Sequence, residues 1–189
     1  MMALALTGGG WVIWGLILSS IGAVALAYDR YKLLKEEAAA LKALRPHVVG
    51  AESVNEAVAK ALKSHPGAAA RVLSDVEHLE AGLSDEKRHL EGKLLWLGTL
   101  GNNAPFIGLF GTVLGVIKAF HDLAESGAGP EVVMAGLSEA LVATAVGLLV
   151  AIPSVLAYNW LTKQVRDILA ETEALGLRLG GTRAEARRR

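Results

Sequence analysis

Residues 94–117 read LLWLGTLGNNAPFIGLFGTVLGVI, a run of 24 residues without a charged side chain. An α-helix rises about 1.5 Å per residue, so this run can cross a hydrocarbon layer about 30 Å thick. Two further uncharged stretches, residues 1–28 and 140–162, are also long enough. The stretches at residues 94–117 and 140–162 contain proline, which a spanning helix tolerates. In chain order the three stretches are called the first (1–28), second (94–117) and third (140–162). The sequence therefore predicts an all-α membrane protein with three transmembrane helices.

The composition agrees with this prediction and excludes several functions. Apolar residues make up 52% of the chain, and 19 basic residues balance 19 acidic ones, so no net charge indicates a nucleic-acid partner. The chain contains no cysteine, which excludes disulfides, thiolate metal sites and a cysteine nucleophile. Four of the five histidines lie between residues 47 and 89 at spacings that do not suit metal ligands. The sequence predicts neither an enzyme nor a cofactor.

The aromatic residues support the membrane prediction independently. All ten lie in or beside the uncharged stretches, as expected of rings that anchor helices at the two membrane interfaces. The tryptophans in particular lie near the ends of the stretches: Trp11, Trp14, Trp96 and Trp160. The alternative, a soluble helical bundle, would require a polar outer face along each stretch, and these stretches lack one.

The basic residues predict the orientation. Residues 29–93 hold eleven Lys and Arg, residues 163–189 hold seven, and the loop between the second and third stretches holds only Lys118. Since basic residues concentrate on the inner side, the N-terminus lies outside and the C-terminus inside. The predicted segments are an outer N-terminus with the first transmembrane helix (1–28), an inner helical segment (29–93), the second transmembrane helix (94–120), a short outer loop (121–130), the third transmembrane helix (131–162) and an inner extension with a frayed basic tail (163–189).

Local signals suggest where the helices of these segments begin and end. Pro46 is expected to end one helix, and Ser53–Glu56 has the spacing of a capping box that starts another. Ser84 is expected to start a helix that continues unbroken into the second span. Pro130 is expected at the start of the third spanning helix, which would extend beyond the membrane toward Leu179.

The second span sorts its residues by size. On a helical wheel, small residues lie within about 60° of Thr112, whereas bulky residues lie opposite. This small face comprises Gly98, Gly101, Pro105, Gly108, Gly115 and Ala119. A face of small residues allows close contact between helices, or it lines a passage without blocking it. The pattern alone leaves both alternatives open.

The third span adds a second hydroxyl at the same depth. Thr144 lies on a small face with Gly147, and it lies five residues after Glu139, whereas Thr112 lies six residues before Lys118. Because the two helices run antiparallel, both hydroxyls are expected about 8 Å inside the outer membrane boundary, as part of a polar ring. Glu139 and Lys118 lie at that boundary, where we expect an ion pair.

No carboxylate or histidine lies deep in any of the three uncharged stretches. A proton that crosses the bilayer along side chains needs a group that takes it up and releases it. If this chain conducts protons, another subunit must therefore supply that group.

Two motifs resemble those of a known family. The run APFIGLFGTVLG at residues 104–115 resembles the second-span motif of the ExbB, TolQ and MotA family. The run GLSEALVATAVGLLVAIP at residues 136–153 resembles its third-span motif. With their flanks the motifs cover residues 98–160, about a third of the chain. Three spans, rather than the four of MotA-like members, favour the ExbB/TolQ branch.

The resemblance implies the proton-channel subunit of an inner-membrane stator complex. It implies a ring of five copies, whose second and third helices line a pore. It also implies two copies of an ExbD- or TolR-like single-span partner that carries the membrane aspartate, and a TonB- or TolA-like protein that reaches the periplasm. By resemblance Thr112 and Thr144 are the pore threonines, Glu139 is the acid at the start of the third helix, and Pro105 and Pro153 are the helix prolines.

Three functions are consistent with these observations to different degrees. The first is a proton channel that drives movement of a partner. The second is a membrane scaffold that organises single-span partners without conducting, which explains the small faces but gives the threonines no role. The third, a solute transporter, is disfavoured because three helices show no inverted repeat.

Overall fold

The computed structural model describes residues 9–49, 56–126 and 129–186, which form helices and no strand. The elements are α1 (Gly10–Val49), α2 (Glu56–Ser64), α3 (Ala68–Ser74), a 3-10 turn (Val76–His78), α4 (Leu79–Glu91), α5 (Leu94–Ser126) and α6 (Pro130–Ala186). Within these described ranges, three helices are long and apolar enough to cross a membrane: α1, α5 and α6. The prediction of an all-α chain with three spanning helices is confirmed.

The long helices extend further than the sequence suggested. Pro46 lies inside α1 rather than at its end, because Leu41, Leu44 and Val48 are buried along one face on both sides of it. Their burial outweighs the loss of one backbone hydrogen bond. Helix α5 continues to Ser126, inside the segment predicted as a loop, and α6 continues to Ala186, inside the basic tail predicted to fray.

The starts of the other helices are partly as predicted. Helix α6 begins at Pro130, as expected. Ser84 does not start a helix: it lies inside α4, which buries Leu79 and Leu90, and a turn at Gly92 separates α4 from α5. The prediction of an unbroken helix into the second span is therefore wrong. Ser53 of the expected capping box lies outside the described residues.

The chain divides into two compact units. The first, here called the span unit, comprises the described parts of Met1–Ala27 and Leu95–Tyr158. The second, here called the extension unit, comprises the described parts of Tyr28–Leu94 and Asn159–Arg189. Helices α1 and α6 contribute residues to both.

The core of the span unit joins all three spanning helices. It comprises Val12 and Leu16 from α1, Ala104 and Leu114 from α5, and Val150 and Ala151 from α6. Much of the remaining apolar surface is exposed in the single chain, as at Phe106 and Leu149. Apolar side chains in that position suit contact with lipid or with another membrane helix.

Arg71 ties together the extension unit. Its guanidinium donates to both carboxylate oxygens of Glu86, at 2.5 and 2.9 Å, and lies 3.7 Å from Glu37. Glu37 in turn accepts a hydrogen bond of 2.6 Å from the backbone N–H of Ala68, at the start of α3. Three helices, α1, α3 and α4, are thus connected through one arginine and two carboxylates.

This network predicts a stability that depends on pH. The hydrogen bonds from Arg71, which outweigh the effect of burial, hold the pKa of Glu86 below its ordinary value. The stabilisation is complete above the unfolded pKa, about 4.3, and is lost as the pH falls through the lower folded pKa. As the pH is lowered below about 5, we expect the melting temperature of the detergent-solubilised chain to decrease. The melting temperature of Glu86→Gln should depend less on pH over the same range.

The matched control for this measurement is Glu80→Gln, which removes an exposed carboxylate from the same helix. It should keep the wild-type dependence on pH. Identical pH profiles for wild type and Glu86→Gln would show that this ion pair does not contribute to stability.

Candidate functional site

Helices α5 and α6 lie in close contact along a seam of small residues. A methyl group on Gly108 would lie 2.7 Å from the carbonyl oxygen of Ala143, and one on Gly147 would lie 2.6 Å from that of Ala104. Only glycine permits backbones to approach this closely. At four further glycines along the seam an added methyl group would also collide with a residue of the other helix: Gly98 with Tyr158, Gly101 with Val155, Gly115 with Ala140 and Gly136 with Ala119. The small face of the second span therefore lies against the third span of the same chain.

Thr112 and Thr144 meet across this seam. Their hydroxyl oxygens are 2.5 Å apart, so one donates a hydrogen bond to the other. The Thr112 hydroxyl also lies 3.2 Å from the carbonyl oxygen of Gly108 and 3.3 Å from that of Ala140. The two hydroxyls are at one level, as the antiparallel arrangement required.

The hydrogen bonds of this pair leave some of its acceptor capacity unused. Each hydroxyl has one hydrogen to donate and two lone pairs to accept with. If Thr144 donates to Thr112, then Thr112 donates to one of its two carbonyl neighbours. Thr144 then accepts no hydrogen bond from any residue that the structure describes. The pair can accept a hydrogen bond from an outside donor without losing its own contacts.

The pair lies at the edge of the unit, partly buried. On the α5 wheel, Ala104 and Leu114 of the common core lie about 80° and 160° from Thr112, on the side that faces α1. On the other side, about 60° and 100° away, Leu109 and Val113 are exposed. Helix α1 therefore covers one side of the seam, and the described span unit leaves the other side uncovered.

A polar cavity of about 250 Å³ approaches the threonine pair. Its lining includes Lys118, Asp122 and Glu139, and it extends to Gly115 and Ala140. Ala140 is also the residue whose carbonyl oxygen lies near the Thr112 hydroxyl. A cavity of this size holds several water molecules. Gly9, Gly10 and Ile13 also line the cavity, so it lies on the side of the seam that α1 covers, and it ends about one helical turn from the two threonines.

The predicted ion pair between Lys118 and Glu139 is not formed. The ammonium of Lys118 lies 3.4 Å from the carboxylate of Asp122, one turn further along α5, while Glu139 lines the same cavity as an exposed side chain. An i,i+4 partner on one helix is already within reach, whereas a partner on another helix depends on packing.

The two predicted prolines lie inside their helices, Pro105 in α5 and Pro153 in α6. Each lacks the N–H that would bond the carbonyl four residues earlier. Beside Pro153, the buried hydroxyl of Ser154 donates to the carbonyl oxygen of Val150 at 2.7 Å.

Three polar groups were not singled out from the sequence. Arg30, 5% exposed, has two nitrogen atoms without a hydrogen-bond partner among the described residues. Asn102 and Asn103 are the ninth and tenth residues of α5, and both are exposed. The presence of two amides in an otherwise apolar run was visible in the sequence, but which face each occupied depended on the packing of α1 and α6.

Comparison with known proteins assigns the family. A model of the MotA/TolQ/ExbB proton channel family matches residues 49–174. The chain belongs to this family. It is 43% identical over 101 residues to the biopolymer transport protein ExbB of Aquifex aeolicus, a match that covers 53% of this chain and 68% of that protein.

Other relatives match over a shorter region. TolQ of the Pseudomonas aeruginosa Tol-Pal system is 45% identical over 82 residues, 43% of this chain and 36% of that protein. ExbB of Neisseria gonorrhoeae is 48% identical over 80 residues, 42% of this chain and 36% of that protein. The match thus spans about a third of the length of these two relatives.

These relatives place the chain in the ExbB/TolQ branch, as the motifs indicated. Members are membrane proteins that energise transport, so this chain is not an enzyme. The three apolar helices and the family together make it a multi-pass protein of the inner membrane.

Proposed function

We propose that this chain is the channel subunit of an ExbB/TolQ-type motor, which couples proton flow to movement of a partner that reaches the periplasm. The observation that supports this most is the hydrogen-bonded pair of Thr112 and Thr144 at the uncovered edge of the α5–α6 seam. Membrane hydroxyls with unused acceptor capacity suit contact with a proton carrier or with water.

The proposed assembly is a ring of five copies in the inner membrane, with the N-terminus periplasmic and the C-terminus cytoplasmic. The uncovered sides of α5 and α6 would face a central pore. A single-span partner of the ExbD or TolR kind would thread the pore and carry the aspartate, and a TonB- or TolA-like protein would receive the motion. The exposed apolar residues of the single chain support such further helix contacts.

Each residue of the site has a role in this proposal. The cavity lined by Lys118, Asp122 and Glu139 would admit water from the outer side and hold cations near its mouth. Thr112 and Thr144 would accept a hydrogen bond from the protonated aspartic acid of the partner. The deprotonated aspartate could instead accept from a threonine that rotates its hydroxyl, so the pair stabilises both forms.

The glycine seam favours a second function, a scaffold that does not conduct. Close packing of α5 against α6 explains Gly101, Gly108, Gly115 and Gly147 without any pore. The scaffold does not explain why two hydroxyls meet at the uncovered edge of the seam. The two functions differ in a measurable way, because only the channel requires a proton-carrying partner.

Native mass spectrometry tests the assembly. The chain would be co-expressed with a single-span protein that carries a membrane aspartate, purified in detergent and weighed intact. We expect five copies of the chain with two of the partner. A homo-oligomer that never retains such a partner would contradict the channel assignment and favour the scaffold.

A further inference from the structure

Asn102 places an amide eight residues after the start of the second spanning helix. Its side chain is exposed and has no hydrogen-bond partner among the residues that the structure describes. It lies ten residues before Thr112, about 15 Å closer to the inner side of the membrane. An unpartnered amide in hydrocarbon is energetically unfavourable, so this position needs a polar neighbour from outside the chain.

The neighbouring amide is satisfied differently. Asn103 donates a hydrogen bond of 2.7 Å to the carbonyl oxygen of Thr99 in its own helix. It also lines an apolar groove with Ser19 and Gly22 of α1, on the side of α5 that α1 approaches. Two chemically identical residues thus occupy adjacent positions of one helix, and only one of them lacks a partner.

Asn102 lies on the uncovered side of α5. It is about 80° from Thr112 on the helical wheel, in the direction away from the core that α5 shares with α1. The same side carries exposed apolar residues: Leu95, Phe106, Leu109 and Val113. Asn102 is therefore a polar position on an apolar strip that begins beside the threonine pair.

We infer that Asn102 binds water in the inner half of the channel. The inference rests on the proposed function, in which the uncovered side of α5 faces a pore. A neutral amide does not titrate, so it carries no proton itself, but it donates two hydrogen bonds and accepts two. A ring of such amides keeps water in a narrow apolar passage and connects the threonine level with the inner side.

Cysteine labelling tests the hydration directly. Because the natural chain has no cysteine, Asn102→Cys and Asn103→Cys each provide a single thiol. Each variant would be assembled with its single-span partner in membranes and treated with a charged, water-soluble methanethiosulfonate reagent, which reacts with the thiolate and therefore needs water. We expect the thiol at position 102 to react at least about tenfold faster. A thiol at position 102 that reacts no faster than the one at 103 overturns the inference.

Proton flux provides the second measurement. Asn102→Leu should lower flux through the assembled complex about tenfold, Asn102→Ser should retain most of it, and Asn103→Leu should match wild type. Wild-type flux in Asn102→Leu would overturn the role in conduction. If the proposed function itself is wrong, the wild-type complex will pass no protons. The labelling rates at positions 102 and 103 will still show whether Asn102 is in contact with water.

Discussion

A chain that carries Thr144→Val is expected to assemble normally and to pass protons roughly ten to a hundred times more slowly than wild type. Valine keeps the shape of threonine but removes the hydroxyl that lies 2.5 Å from Thr112. Loss of a hydrogen bond at an unsatisfied polar group costs about 1–3 kcal/mol, and each 1.4 kcal/mol changes a rate tenfold. Thr112→Val should have a similar effect, since both hydroxyls belong to one pair.

Flux would be measured in vesicles that contain the purified complex, with native mass spectrometry as the check on assembly. The matched control is Ser154→Ala, because this hydroxyl lies in the same spanning helix but bonds its own helix carbonyl. It should conduct like wild type. The threonine assignment would be abandoned if both valine variants assembled and conducted at the wild-type rate.

The second large effect concerns stability. Gly108→Ala should destabilise the detergent-solubilised chain by about 2–3 kcal/mol, because overpacking at a tight contact forces backbones apart. The new methyl group would lie 2.7 Å from the carbonyl oxygen of Ala143 and 3.0 Å from the Cα of Thr144. Both neighbours are backbone atoms, which cannot move aside as a flexible side chain does. Thermal unfolding followed by circular dichroism measures the change.

Gly15→Ala is the control for this variant. Gly15 also lies in a spanning helix, but apart from the adjacent backbone of its own helix no atom lies within 4 Å of the methyl group that alanine would add. Its melting temperature should stay close to that of wild type. Equal stability of Gly108→Ala and Gly15→Ala would mean that the α5–α6 seam is looser than the structure indicates.

The spans and the shared level of the two threonines followed from simple regularities, whereas their direct hydrogen bond required the packed structure. Uncharged length identified α1, α5 and α6, because a bilayer imposes one dimension on every spanning helix. The level of Thr112 and Thr144 followed from counting residues to the nearest boundary charges, since antiparallel helices share a rise per residue. The small face of α5 was visible on a wheel, but its use in contact with α6 required the packed structure.

Predictions failed where packing outweighs a local signal. Pro46 resembles a helix end, but Leu44 and Val48 are buried on either side of it and keep α1 continuous. Ser84 resembles a helix start, but the helix had already begun at Leu79. Lys118 was predicted to pair with Glu139, but its ammonium pairs with the carboxylate of Asp122 on the same helix. Such outcomes depend on contacts between segments, which local sequence patterns do not contain.

The most direct test of the channel assignment is proton flux into vesicles with and without the single-span partner. The chain would be reconstituted alone, with the partner, and with a partner whose membrane aspartate is replaced by asparagine. A pH-sensitive dye inside the vesicles would report proton entry under an imposed gradient. We predict flux only with the intact partner, because this chain has no carboxylate or histidine deep in its spans. Flux equal to that of empty vesicles in an intact, partner-bound complex would contradict the account.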